Sequence, residues 1–297
     1  MQALPIIQVD AYTASAFGGV PCGVILDADD LDDEVMQRLA GEFGTEETVF
    51  VTDSEVADFQ ARCFTAYEEI PLTGHPAIAV VHGLLVKGRL GPRQDVRRLC
   101  LDTVVGLLEM DLSGAGDEPP LISVTHRAPD FYEEQDPAEV AVAFHLETED
   151  LRPGAPVQTV DTGTPHLMVP VADAEALHRA RLDPERFSAL RRFGGFVGAH
   201  LFVLEGASEG GDVFSRHFGA RLHHPERPFT GSATGAMGSY LWRHGLIGQC
   251  RFVAEQGHWL GRPGQADVEV LGDADDIRGV RVAGHAVQVM EGLVLVP

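Results

Sequence analysis

Hydrophobic and polar positions first alternate in PIIQVDAYT, where Ile6, Gln8 and Asp10 run out of phase with Ile7, Val9 and Ala11. That two-residue period predicts a strand. A turn containing Gly18, Gly19 and Pro21 leads to a second strand around CGVILD. The period then lengthens: Leu31, Val35, Met36, Leu39, Ala40 and Phe43 recur at helical spacing. Asp30 or Asp32 can cap this helix, and Gly44 suits its stop. TVFVT and DFQARCF read as strands. The loop TAYEEIPLT ends at Gly74-His75-Pro76, where an apolar helix, AIAVVHGLLVKG, begins.

The second half repeats this order. A single helix over DAEALHRARLDPERFSALRRF precedes strands HLFVLEG and DVFSRHF and the loop GARLHHPERPFT. Gly231-Ser232 and a further helix, ATGAMGSYLWRHG, follow. The halves share little identity, so the order of elements carries the repeat. It predicts an α+β protein of two pseudo-symmetric lobes with a cleft between them. The expected division is 1–118 for the first lobe and 119–283 for the second, with GDEPPL at 116–121 as hinge. Strands around RFVAEQG, ADVEVLG, RGVRVAG and AVQVMEGLVLV follow, and the last, about 284–297, is expected to return to the first lobe.

The length of 297 residues suits two domains. Lys+Arg 22 against Asp+Glu 45 gives a net charge of −23, which argues against nucleic acid or an anionic membrane as partner. No apolar run reaches the roughly 20 residues of a membrane span, and the N-terminus lacks the pattern of a secretory signal. Cys22, Cys63, Cys100 and Cys250 lie far apart, like core residues of a reduced, cytoplasmic compartment. Lys87 is the only lysine, read as a bacterial coding bias.

Candidate chemistry sits at two turns, Thr73-Gly74-His75 and Thr230-Gly231-Ser232. Each opens a helix, whose free N–H groups and positive dipole end can hold a carboxylate or phosphate. The plainer reading makes the glycines turn formers and Ser232 a helix cap. Glu46-Glu47 opens the apolar strand TVFV; one carboxylate turned inward would be a candidate general acid/base, and alternation alone does not choose between them. His75 is a proton shuttle, a substrate hydrogen-bonding group or a structural histidine. His223-His224 on an extended loop, with no HExxH, predict no metal. GxGxxG and GxxxxGK[ST] are absent, so no organic cofactor is expected.

The stretch VDAYTASAFGGVPCGVILDADDLDDEVMQRLAGEFGTEETVFV resembles the N-terminus of the PhzF-like, phenazine-biosynthesis isomerase family. RCFTAYEEIPLTGHPAIA, DTGTPHLMVPV, TGSATGAMGSYL and EQGHWLGRP resemble later parts of that family in its order. The resemblance implies the diaminopimelate-epimerase-like fold, with two lobes that each wrap a curved, mostly antiparallel sheet around a central helix. It implies Glu47 as acid/base, since the family's glutamate precedes Thr-x-Phe-Val, and it matches Gly74 and His75 to a Gly-His-Pro site. The resemblance makes His75 catalytic with Glu47, and Thr73, Gly74, Arg227, Thr230, Gly231 and Ser232 are then expected to bind substrate. Two positions depart from the family. Arg227 stands where aspartate is usual, free to bind a substrate carboxylate or to point into solvent, and Val20 stands where asparagine is common.

The activity implied is cofactor-independent relocation of a proton on a small unsaturated cyclic amino acid or dihydroanthranilate, in secondary metabolism such as antibiotic biosynthesis. Alternatives are a lyase or dehydratase, and a non-catalytic binding or self-resistance protein. None of the cysteines stands beside the glycine turns, which argues against a two-cysteine racemase. The expected partner is a small anionic substrate. The family often forms homodimers, although no exposed stripe in this sequence predicts one.

Overall fold

The computed structural model describes residues 2–90, 96–114, 119–219 and 225–296. In chain order, the first half comprises β1 (Gln2–Ala11), β2 (Val20–Ile25), α1 (Asp33–Phe43), β3 (Thr48–Thr52), β4 (Phe59–Phe64), β5 (Glu69–Ile70), α2 (His75–Val86), β6 (Val96–Thr103), β7 (Gly106–Ser113) and β8 (Leu121–Arg127). After these come β9 (Asp130–Glu134), α3 (Pro137–Ala143), β10 (Gln158–Asp161), β11 (Pro165–Pro170), α4 (Ala174–Arg179), α5 (Pro184–Gly194), β12 (Gly198–Val203), β13 (Val213–Gly219) and β14 (Glu226–Arg227). The chain ends with α6 (Gly231–Arg243), β15 (Arg251–Gln256), β16 (Gly264–Asp273), β17 (Asp276–Gly284) and β18 (Ala286–Val296).

Two compact units divide the chain, Met1–Val124 with Ala283–Pro297 and Thr125–Val282. The division falls inside β8. Of the hinge expected from GDEPPL, Gly116, Asp117 and Glu118 lie outside the described residues.

In the first unit, β1 pairs antiparallel with β18 and with β2. β2 runs parallel to β3, β3 antiparallel to β4, β4 parallel to β6, and β6 antiparallel to β7. The short β5 closes on the end of β4. Helix α2 is buried along almost its whole length, from His75 to Leu84, against this sheet. Burial on all sides fits its apolar sequence, which has no polar face to offer water. On the opposite face, Ile6, Ile25, Phe50 and Phe64 pack with Met36 and Ala40 of the amphipathic α1.

The second unit has the same topology. β10 is antiparallel to β11, β11 parallel to β12, β12 antiparallel to β13, β13 parallel to β15, and β15 antiparallel to β16. β14 closes on β13 as β5 does on β4. Helix α6 is buried as α2 is, and α3, α4 and α5 cover the opposite face around Phe144, Leu177 and Phe187. This is the diaminopimelate-epimerase-like architecture, with a mostly antiparallel sheet around a central helix in each unit.

Register makes the repeat residue-specific. Phe64 faces Glu69 across β4 and β5, and Phe218 faces Glu226 across β13 and β14. In both units the arginine two residues before that phenylalanine grips that glutamate with two hydrogen bonds, Arg62 on Glu69 and Arg216 on Glu226. Counting on from these glutamates, Pro71-Leu72-Thr73-Gly74-His75 is equivalent to Pro228-Phe229-Thr230-Gly231-Ser232.

One expectation fails. The single helix over residues 173–193 is two helices, α4 and α5, broken at Ala180 to Asp183. Pro184 has no N–H to continue a helix, so it begins one, and Asp183 caps it by accepting from Glu185 and Arg186 N–H.

The two arginine–glutamate pairs differ in burial: Arg216 and Glu226 side chains are 9% and 14% exposed, Arg62 and Glu69 22% and 27%. Arg216 also donates to the Leu177 and Ala180 carbonyls, so it cannot swing away. Glu226→Ala is therefore expected to cost about 3 kcal/mol by stranding a buried cation, against about 1 kcal/mol for Glu69→Ala. Urea denaturation of the two variants checks the order.

Candidate active site

Four helices start from an aspartate. Asp32, Asp136, Asp173 and Asp183 each cap the first turn of α1, α3, α4 and α5. The two central helices do not: neither Gly74 before α2 nor Thr230 before α6 makes a side-chain cap. Their first N–H groups are left for other partners, at the two turns singled out in the sequence.

In the first unit, Gly74 enters α2 with φ 57°, a left-handed backbone that favours glycine, and Pro76 occupies the first turn. This leaves His75 as the first helical residue, 7% exposed. Its Nε2 lies 2.7 Å from Oε2 of Glu47. Strand alternation explains why Glu47 rather than Glu46 is there. Phe50 packs on the α1 side of the sheet, so residues 49 and 47 face α2. Glu47 is buried and Glu46 half-buried. The Glu47 carbonyl accepts from Gly23 N–H and Thr45 Oγ1, which fixes the backbone beneath the carboxylate. Cys22 lies nearby, its thiol pushed well up by burial, then by Cys63 and Glu47, so it stays protonated. Thr73 precedes the turn and is half-buried.

In the second unit, Ser232 does not cap its helix. Its Oγ lies 2.9 Å from Nε2 of His166, on β11. Thr230 is the residue before the helix, and its N–H donates to Oε1 of Gln256, whose Nε2 donates to the Arg227 carbonyl. The fully buried Gln256 thereby staples the segment that carries Arg227, Thr230, Gly231 and Ser232. Gly257 admits the same segment, since a Cβ there would stand 2.4 Å from the Pro228 carbonyl. The EQG of the late motif is a clamp for this turn. His223 and His224 lie outside the described residues.

The sequence reading missed a group of buried histidines. His166, His200 and His217 pack ring to ring, with centroids 5.1 Å apart for His166 and His217 and 5.6 Å for His200 and His217. Register places them where the first unit has Cys22, Val49 and Cys63, and places Gly198 where it has Glu47. No side chain fits at Gly198, because a Cβ would stand 2.5 Å from His217 Nε2. Burial holds His166 and His200 down at about 3 and His126 at about 4, with further lowering of His166 by His126 and Arg227. His217 is also lowered, by burial first and then by His166, His200 and Arg227. Among the described residues no group of three or more His, Cys, Asp or Glu is placed to hold a metal ion, and no helix is long and apolar enough to cross a membrane.

The PhzC-PhzF family, phenazine biosynthesis-like protein, matches residues 9–292. The chain belongs to this family. It is 30% identical to the uncharacterized isomerase YfhB of Bacillus subtilis, over 97% of each chain. It is 28% identical to trans-2,3-dihydro-3-hydroxyanthranilate isomerase of Pseudomonas aeruginosa, over 96% of this chain and 97% of the relative. Among solved structures, a PhzF-family phenazine biosynthesis protein of Bacillus anthracis is similar over 100% of both chains, at 31% identity and TM-score 0.89. A hydroxyproline epimerase of Agrobacterium vitis shares the fold alone, at 12% identity and TM-score 0.67, over 99% of this chain and 91% of its own. Curated relatives of the family are thus named isomerases.

The neutral histidines set an acid limit on stability. An unfolded histidine takes up a proton near 6.5, whereas His166, His200 and His126 in the fold do not until about 3 to 4. Between those values the unfolded chain binds more protons, so stability falls as pH falls below about 6.5, by up to ~1.4 kcal/mol per pH unit for each such group. His200 has no hydrogen-bond partner at either ring nitrogen among the described residues. His200→Leu is expected to flatten the pH dependence of the urea midpoint between about pH 7 and pH 5 without shifting it downward at pH 7.

Proposed function

We propose that this chain is a cofactor-independent isomerase that moves a proton between two carbons of a small unsaturated cyclic amino acid or dihydroanthranilate-type substrate. The observation that carries this reading is the buried Glu47 carboxylate, 2.7 Å from His75 at the uncapped start of α2. A carboxylate held in place and screened from bulk water can act as a general base on an activated C–H. The name of the Pseudomonas aeruginosa relative, an isomerase of a dihydro-hydroxyanthranilate, supports the substrate class.

In the proposed reaction, Glu47 removes a proton from a carbon whose C–H electrons flow into the conjugated system. Glu47 is then a carboxylic acid, and the substrate carries the negative charge. His75 hydrogen-bonds the substrate where that charge gathers, assisted by the free N–H groups of α2. The Glu47 carboxylic acid exchanges its proton with solvent water and delivers a proton to the vinylogous carbon, which restores the carboxylate. Nothing is oxidised or lost, so one base suffices. Arg227, Thr230, Gly231 and Ser232 are assigned to the substrate carboxylate, Arg227 supplying the cation that the usual aspartate would not.

Mass spectrometry in deuterated water tests this. Incubation with cyclic dihydro amino acids is expected to add deuterium at carbon without other change in formula. Glu47→Gln should keep the fold and lower the rate by about 10³-fold. A product lighter by one water would replace isomerisation with elimination, and full activity in Glu47→Gln would remove this residue from the mechanism.

A further inference from the structure

The repeat gives each central helix one polar residue at its start and one polar partner on the sheet beside it. In the first unit these are His75 and Glu47; in the second they are Ser232 and His166. The second pair has no base of the Glu47 kind, because Gly198 occupies that register position. We propose that His166 is a positioning residue, whose Nε2–H holds the Ser232 hydroxyl as a one-way hydrogen-bond donor to a substrate carboxylate. The inference rests on Ser232 being a carboxylate-binding group, as assigned above, and adds the residue that makes it one.

The argument turns on where the imidazole proton sits. His166 is 2% exposed. Its Nε2 meets Ser232 Oγ at 2.9 Å, and its Nδ1 has no hydrogen-bond partner among the described residues. With the proton on Nδ1, a buried N–H would lack an acceptor, and orphaned buried N–H groups are rarer than orphaned acceptors. With the proton on Nε2, His166 donates to Ser232 Oγ and only a lone pair is left bare. The hydroxyl has one proton to give, and it must then give it away from His166. An acceptor, such as a carboxylate, satisfies it; an ammonium or amide N–H does not.

The surroundings keep His166 from becoming an imidazolium. Among the described residues, His126, His200, His217 and Arg227 are the charged or titratable groups that act on it or pack against it, and none is an anion. A carboxylate in place of any of them would stabilise the charged ring. Arg227 has a double effect here: it favours a neutral His166 and a negative ligand.

Two measurements test this on the full chain. Long-range proton–nitrogen spectra of protein labelled with 15N at histidine should show one ring with Nε2 protonated and Nδ1 bare, unchanged between about pH 8 and pH 5. That signal should vanish in His166→Gln and shift in Ser232→Ala. A proton on Nδ1, or an imidazolium in that range, overturns the proposal.

Calorimetry then compares 3-hydroxyanthranilate with 2-aminophenol, the same ring without its carboxylate. Ser232→Ala and His166→Leu should each weaken the carboxylate ligand about tenfold and leave the other unchanged. The double variant should be no weaker than either single one, and His166→Gln, which keeps a donor, should recover most of the loss. Additive losses, or no preference for the carboxylate in the unaltered protein, overturn the proposal. Neither measurement needs turnover, so a failed deuterium exchange leaves this result standing, and the reverse holds too.

Discussion

A helix buried on every side must dispose of the N–H groups of its first turn, and neither α2 nor α6 has a capping side chain for them. The peripheral helices solve this problem with aspartate each time. The same solution at α2 or α6 would place a carboxylate where the proposed substrate's own carboxylate or developing charge is to lie. Leaving the caps off costs helix stability, and the packing around each central helix offsets that cost. Gly74 with its positive φ, the Gln256 staple across Arg227 and Thr230, and the close fit at Gly257 all hold an uncapped start in place.

The duplicated topology then acts as a controlled comparison within one chain. The arginine–glutamate clasp, the Pro-x-Thr-Gly turn and the strand order are kept in both units. What differs is the sheet face under the helix start. The first unit puts Glu47, Cys22 and Cys63 there; the second puts Gly198, His166 and His217. A buried carboxylate beside the start of α6 would repel any anion brought to that helix end. The neutral imidazoles of the second unit avoid that repulsion while keeping hydrogen-bonding capacity.

Much of this was legible in the sequence because it is local. Asp32 and Gly44 mark the ends of α1, and the glycine turns open both central helices at the expected residues. The choice between Glu46 and Glu47 was not legible from alternation alone, because period two fixes relative faces but not which face is covered by α2. Once Phe50 is seen against α1, the choice follows. The break at Pro184 was written in Asp183-Pro184, a cap followed by a first-turn proline, but the apolar spacing continued across it and masked the signal. His166, His200 and His217 were hidden for another reason: each stands on a strand separated in sequence, and only the parallel pairing of β11 with β12 and the antiparallel pairing of β12 with β13 bring them together.

A net charge of −23 opposes the approach of the anionic substrate class proposed for the chain, and the two scales of the electrostatics reconcile this. At physiological ionic strength, exposed carboxylates beyond about 8 Å are largely screened. Inside the fold screening is weak, and there the second unit has the start of α6 and imidazoles that stay uncharged, with the half-buried Arg227 lowering His166 and His217 further. A long-range field acts on every anion alike, whereas a local one depends on the shape and donors of the ligand. Under the proposed reading, affinity must therefore come from a few oriented donors rather than from general attraction. That makes the direction of one hydroxyl, on Ser232, a larger matter than its single hydrogen bond would suggest.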